Sequence, residues 1–577
     1  QGCPTPGVES MTDPAESTPS QRGSVDEHGD EYLAQLTASN PFFATTFGLP
    51  GHDAQVQDVS AGAQEELART MATIRDRVTA LDPDMLDDND RTSRALVVHG
   101  TQSIVDSVAA RTTEWQLGGL AGPVYTVLGV TPKITLTDRS KASDYAARCA
   151  GLVSYVENST EALRRGLKDQ MVSSRRVVES TITTLDRYLA TSVSADPLLM
   201  PLTMVDDTRL RGRVESTIID EVRPALARLR NVLHDELLPA ALSDEACGVM
   251  NLPGGEEIYR RLAEQHTTTT RTPQDLHETG LHMAEELRTE FGELGGRVLG
   301  TKDFGEVKRR LREDSALCYS TAEEILRDGQ DAQQRAQDAV PDWFGRWHRA
   351  ACEVKPMNAA EADTSALGYY QPPAADGSRP GRCWLNTSRP TTRPRYEVET
   401  LTFHETVPGH HMQFALAQEL EGLPAYRRFA YVTAFGEGWG LYTERLADEM
   451  GIYSGDLARF GMVSFDAWRA ARLVVDTGLH ALGWSRQRAI DYMWENTALT
   501  MANITTEVDR YISMPGQALA YMTGRLEIVR LRELAQSRIG SHFDIKAFHD
   551  TVLGNGSIPL SQLTDIVERW TVTQSNR

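Results

Sequence analysis

Residues 402–413 read Thr-Phe-His-Glu-Thr-Val-Pro-Gly-His-His-Met-Gln, so His404, Glu405, His410 and His411 crowd around Pro408-Gly409. Neutral imidazole is the commonest metal ligand, and a carboxylate beside one can act as a general base. In the simple His-Glu-x-x-His zinc motif the second histidine sits four residues on, on the same helical face. Here that position is Pro408, and His410 lies six residues from His404. A regular helix rises about 9 Å over six residues and turns about 120° off the face, too far for two ligands ~2.1 Å from one ion. Proline removes a helical hydrogen bond and clashes with the carbonyl four residues back, here that of His404. The helix is therefore expected to bulge or kink at Pro408, with Gly409 allowing it, so that His404 and His410 can share an ion. His411 returns to the face of His404 at about 10.5 Å of rise and stays an alternative second ligand.

A tetrahedral catalytic site wants a third protein ligand and one open position. Glu437 stands among Gly436, Gly438 and Gly440 in an otherwise helical stretch. Each such glycine costs about 1 kcal/mol relative to alanine, and close approach of this helix to the motif helix is the expected return. Glu444, two turns on, reads as a partner behind the ligands or a surface charge. Arg469, Arg472, Asp476 and His480 share a helical face by their spacing. Asp476 could orient His480 or a ligating imidazole, and His480 could donate to an oxyanion; buried ion pairing is the plainer reading. Arg510, between Glu507 and Tyr511, could grip a substrate carboxylate through its fork, in competition with Arg379, Arg382 and Arg525.

The surrounding pattern is helical. Ala61–Ala80, Arg91–Arg111, Ser143–Tyr188, Leu210–Leu238, Pro273–Leu294, Phe304–Leu311 and Thr321–Ala339 carry apolar residues at three- and four-residue spacing. Thr272-Pro273 supplies an N-cap and a first-turn proline. Further helices are expected over Glu397–Leu420, Ala430–Met450, Asp456–Ala481, Ser485–Asn496 and Gln517–Ser537. Turn-rich sequence flanks one short strand at Arg382–Thr387. Residues 1–28, rich in Pro, Ser, Gly and acid, are expected to form a disordered tail. Residues 29–340 read as a helical half and 341–577 as a half carrying the chemistry, the two forming one continuous domain.

The chain has 577 residues and a net charge of −22, from 59 basic and 81 acidic side chains. That argues against nucleic acid or an anionic membrane surface as partner. The six cysteines include no Cys-x-x-Cys pair, which disfavours a disulfide framework or a zinc knuckle. No apolar run is long enough to span a bilayer. A cytoplasmic location is expected, with a processed or lipid-anchored start at Cys3 as the alternative.

The segments HETVPGHHMQ, EGWGLYTE, DTGLHALGW and EVDRYISMPGQALAYMTGR resemble motifs of the bacterial domain-of-unknown-function 885 family. That group is similar to zinc peptidases whose third ligand is glutamate, nearest the thermostable carboxypeptidases and the oligopeptidase and angiotensin-converting-enzyme fold. The motif-bearing likeness spans residues 368–528. It implies a mainly α, two-lobed body with a central groove and a small strand element beside the site. It also implies one zinc ion on His404, His410 and Glu437, with Glu405 as base. Tyr521, with Gln517 a turn before it, would be the first-choice donor to the oxyanion and Tyr511 the second. His411, Glu444, Asp476, Arg510 and Gln517 would support the ligands or the substrate. The expected reaction is hydrolysis of small peptides by a carboxypeptidase, dipeptidase or aminopeptidase. A peptide-binding protein without turnover, an amidohydrolase acting on a non-peptide amide and an iron oxygenase are the competing readings.

Overall fold

The computed structural model describes residues 19–575 apart from 120–121, 358–361 and 363–366. The chain is mainly helical. Its principal helices begin with α1 (Pro19–Ser39), α2 (Ala61–Thr79), α3 (Asp88–Ala109), α4 (Arg139–Lys168) and α5 (Arg175–Ala190). Then come α6 (Pro273–Val298) and α7 (Ala322–Trp343), and the strands β1 (Cys352–Pro356), β2 (Gly368–Gln371) and β3 (Gly381–Leu385). The last part carries α8 (Glu397–Glu405), α9 (His410–Gln418), α10 (Thr433–Glu449), α11 (Asp456–Ala481), α12 (Met501–Ser513) and α13 (Ala520–Ile539).

Local chemistry sets several of the helix starts. Asp87, Asp138, Thr272 and Thr321 each accept a backbone N–H from the first turn of α3, α4, α6 and α7, which satisfies donors the helix leaves unpaired. Three sequence expectations need correction. Helix α1 begins at Pro19, inside the stretch read as a tail, because Val25 is buried and Asp26 accepts a 3.0 Å hydrogen bond from the Tyr426 hydroxyl; residues 1–18 lie outside the described residues. The single helix expected over 143–188 is two, parted where Gln170 takes a left-handed conformation. The helix α12 was not anticipated at all.

Helix α11 is buried almost end to end, as a helix apolar on most faces must be, and it packs on α6, α8 and α12. Helices α10 and α13 cross at Gly438 and Gly524. A Cβ on Gly438 would lie 2.5 Å from the Gly524 backbone, and one on Gly524 would lie 1.8 Å from the Ala434 carbonyl oxygen. The three larger hydrophobic cores each join residues from before and after residue 340: Leu152 with Val474, Val97 with Phe403, and Phe291 with Phe460.

The small sheet has the order β1-β3-β2. Strand β1 runs parallel to β3 with Cys352 opposite Gly381, and β2 runs antiparallel to it with Tyr369 opposite Trp384. Gly381, Cys383 and Leu385 point inward and alternate with half-exposed Arg382 and Trp384, so the strand expected from sequence at 382–387 is the centre of the sheet.

Candidate metal centre

Helix α8 stops at Glu405 and α9 starts at His410, so Thr406–Gly409 interrupt what the sequence reading took as one helix with a kink. The Val407-Pro408 peptide is cis. A Cβ on Gly409 would come within 2.0 Å of the His404 carbonyl oxygen, so only glycine fits there. The buried Trp439 indole of α10 donates to the Pro408 carbonyl at 2.9 Å and fixes the break against that helix.

The interruption gathers the imidazoles. The rings of His404 and His410 stand 4.7 Å apart between centroids and nearly perpendicular. Glu437 reaches them from α10, its Oε2 lying 3.7 Å from His404 Nε2 and 3.4 Å from His410 Nε2. One ligand atom from each of these residues falls within 4.8 Å of the others. On the far side of His404, Nδ1 meets the fully buried Glu444 carboxylate at 2.8 Å, which leaves Nε2 turned towards Glu437. A carboxylate behind a ligating imidazole fixes its tautomer and raises its basicity. Arg469 Nη2 lies 3.8 Å from the same Glu444 oxygen. Gly440 makes room: a Cβ there would sit 2.7 Å from the His404 ring. Tyr431, which sequence spacing did not single out, donates its hydroxyl to Glu437 Oε1 at 2.9 Å.

These groups could hold one divalent ion. Two nitrogens and a carboxylate oxygen converge, the orienting carboxylate is in place, and His410 Nδ1 is buried with no hydrogen-bond partner among the described residues. Such a donor set suits zinc or a comparable borderline metal. The electrostatics agree. Burial disfavours charge on His404, but the neighbouring Glu437 and Glu444 carboxylates outweigh it and lift its pKa to about 9. Burial likewise works against a charged Glu437, yet His404 and His410 hold it well below the usual carboxylate range. Burial raises Glu405, despite attraction to both histidines.

His411 faces the other way. Its Nδ1 accepts from the Tyr370 hydroxyl at 3.0 Å and its Nε2 donates to the Ala350 carbonyl at 2.9 Å, so it ties α9 to the sheet. Burial drives its pKa down to about 3, and a Cβ on Gly381 would press 2.4 Å from its ring. The choice between His410 and His411 is thus made by which ring turns to Glu437, and His410 does.

Other expected site residues have different work. His480 is buried with both nitrogens engaged: Nδ1 accepts from the Val249 amide and Nε2 donates to the Tyr511 carbonyl, both at 3.0 Å. It has no proton to offer a substrate. Asp476 does not orient His480; it accepts from the Tyr259 hydroxyl at 2.6 Å and the Gly516 amide at 3.0 Å. The Tyr511 hydroxyl is taken by Trp468 at 2.8 Å and Arg472 at 3.0 Å. Arg510 pairs with Glu507 at 3.1 Å and donates to Gln517 at 3.2 Å, and Gln517 in turn reaches the Tyr521 hydroxyl at 3.5 Å. Tyr521 is half-buried under the Arg472 guanidinium, 4.4 Å from its ring centre.

Residues 41–567 match the family described as "Bacterial protein of unknown function (DUF885)". The chain belongs to this family. A crystal structure of a "putative lipoprotein" from Colwellia psychrerythraea resembles this DUF885 protein with a TM-score of 0.89 at 26% identity, covering 95% of this chain and 99% of that one. Another solved structure, of a "putative lipoprotein of unknown function" from Shewanella oneidensis, has a TM-score of 0.70 at 16% identity and covers 94% of this chain and 99% of that one. No curated protein matches the sequence. Among the described residues of the DUF885 chain, no helix is long and apolar enough to cross a membrane.

Proposed function

We propose that this protein is a metal-dependent peptidase with one zinc ion held by His404, His410 and Glu437, acting on small peptides as an exopeptidase. The observation that carries the reading is the convergence of three ligand atoms within 4.8 Å from three separate points in the chain, with Glu444 seated behind His404. When bound, the ion would supply Lewis acidity, polarising a carbonyl and lowering the pKa of water. The remaining work falls to side chains. Glu405, adjacent to a ligand and raised by burial, takes a proton from the attacking water and delivers it to the leaving amine as the C–N bond breaks. Tyr521 is the hydroxyl expected to donate to the oxyanion, and Tyr431, already hydrogen-bonded to Glu437, is a second candidate that geometry favours. The kinship with glutamate-ligand zinc peptidases belongs to this reading, and it rests on motif and donor set.

The test is metal analysis of the purified protein, together with mass spectrometry of free, N-blocked and C-blocked peptides incubated with it. Stepwise loss of residues from one end, abolished by chelator and by Glu405→Gln, supports the reading and names the polarity. Intact peptides in the presence of zinc-loaded protein would overturn it. The Colwellia relative's description as a lipoprotein supports an envelope location for this chain in place of a cytoplasmic one. Cys3 is then the acceptor, and fatty-acid labelling that Cys3→Ala leaves intact would refute that assignment.

A further inference from the structure

Strand β2 is an edge strand of the sheet among the described residues. Tyr369 and Gln371 of β2, with their β3 partners Trp384 and Arg382, present one face of the sheet to a cavity of about 790 Å³ that residues from 117–119 and 124–135 and helix α5 also line. A second cavity, of about 500 Å³, adjoins it and shares Tyr125, Lys133, Tyr369 and Gln371 as lining. Strand β2 therefore runs along a continuous cleft.

The lining has a marked charge character. The larger cavity is bordered by Lys133, Arg187 and Arg382 and by no aspartate or glutamate, in a protein whose net charge is −22. In the smaller one, Lys133, Lys141 and Arg379 face Asp53 and Asp376, and Asp53 is already paired with Lys141. Arg187 has no ion-pair partner among the described residues, and Arg382 is partly balanced by Glu353 at 3.3 Å. Tyr125, Tyr188 and Trp384 add apolar walls, and Lys133 stands over the Tyr369 ring. A concave site with cations on aromatic walls recognises an anion that also carries apolar surface. The smaller cavity comes within one side chain of the candidate centre: Tyr370, which lines it, bonds His411 and stacks 6.4 Å from the His410 ring.

We infer that the substrates are acidic peptides, whose aspartate or glutamate side chains lie along β2 in this cleft while the backbone reaches the His404–His410–Glu437 centre. The assignment rests on the peptidase reading for turnover but not for binding, so the two can fail separately. The experiment measures binding of equal-length acidic, neutral and basic peptides to zinc-loaded Glu405→Gln protein by calorimetry, and kcat/KM for the same peptides on the native protein. The acidic peptide is expected to bind about tenfold tighter than the neutral one, with the preference shrinking as salt rises. Arg187→Glu combined with Arg382→Glu should cut the acidic-to-neutral ratio at least about fivefold. Should the paired change unfold the protein, Arg187→Glu alone, on an exposed helix face, carries the test. Acidic binding without cleavage by native protein would refute the peptidase reading and uphold the charge preference. Equal binding of acidic and neutral peptides, or a ratio indifferent to Arg187→Glu, overturns the inference.

Discussion

At the scale of single residues the centre divides into groups that would hold an ion and groups that shape them. Glu405 belongs to neither: among the described residues no hydrogen bond or ion pair holds its carboxylate, so Glu405→Gln is expected to keep metal content and fold while lowering kcat by about 10²–10⁴-fold. Loss of bound metal in that variant would count against its role as base. Glu444 acts through His404. Glu444→Gln should weaken metal affinity by about 10- to 100-fold, read by competition with a chelating dye. Gly440 is equally committed, since a methyl group there meets the His404 ring at 2.7 Å; Gly440→Ala should lower metal content more than it lowers melting temperature. His404, Glu405 and the paired histidines were legible in the sequence because their types and order have few other uses. Tyr431 and Tyr370 were not, for a single tyrosine in a turn-rich stretch carries no periodic signal that says what its hydroxyl will meet.

At the scale of elements, the site is made by a break and a crossing. The break at Thr406–Gly409 was expected from Pro408, whose steric clash is local. The crossing of α10 and α13 was half visible: the glycines around Glu437 announced a close approach, but the partner they approach is Gly524, not only the motif helix. Gly524→Ala should force the helices apart and cost about 1–3 kcal/mol of stability, measured by denaturant unfolding; an unchanged midpoint would show that the crossing can relax. Between the same elements, Asp466 is fully buried and bonded to both Arg445 and Arg525. Burial would raise its carboxyl, and the two guanidinium groups instead hold it low. Removing its charge leaves Arg525 without a carboxylate among the described residues, while Arg445 keeps Glu290 at 2.8 Å; breaking a buried pair in this way costs about 3–5 kcal/mol.

At the scale of the whole molecule, buried polar groups tie distant segments together, and Asp476 is one with a measurable signature. It joins α11 to Tyr259 and Gly516, and Arg472 and Arg510 face it. Burial nevertheless lifts its pKa to about 7, against about 3.9 in an unfolded chain. The folded state thus binds more protons between roughly pH 4 and 7, so this group's contribution to stability falls as pH rises through that window. Asp476→Asn keeps an oxygen to accept both hydrogen bonds. It is expected to flatten the decline in melting temperature between pH 5 and pH 8, and identical profiles for the two proteins would refute the assignment.

The sequence by itself determined the mainly helical class, most helix spans and the two segments that carry the candidate ligands. Each depends on neighbours within a turn or two: apolar spacing, caps, and a proline that cannot continue a helix. Tertiary structure alone decided the rest. It turned His410 rather than His411 towards Glu437, engaged both nitrogens of His480 in backbone contacts, and drew Asp476 to Tyr259 instead of to a ligand. It also folded α1 into a stretch whose composition reads as tail, because Val25 is buried and Tyr426, far along the chain, bonds Asp26. A buried polar side chain takes whichever partner the fold brings within about 3 Å, and spacing along the chain does not encode that choice.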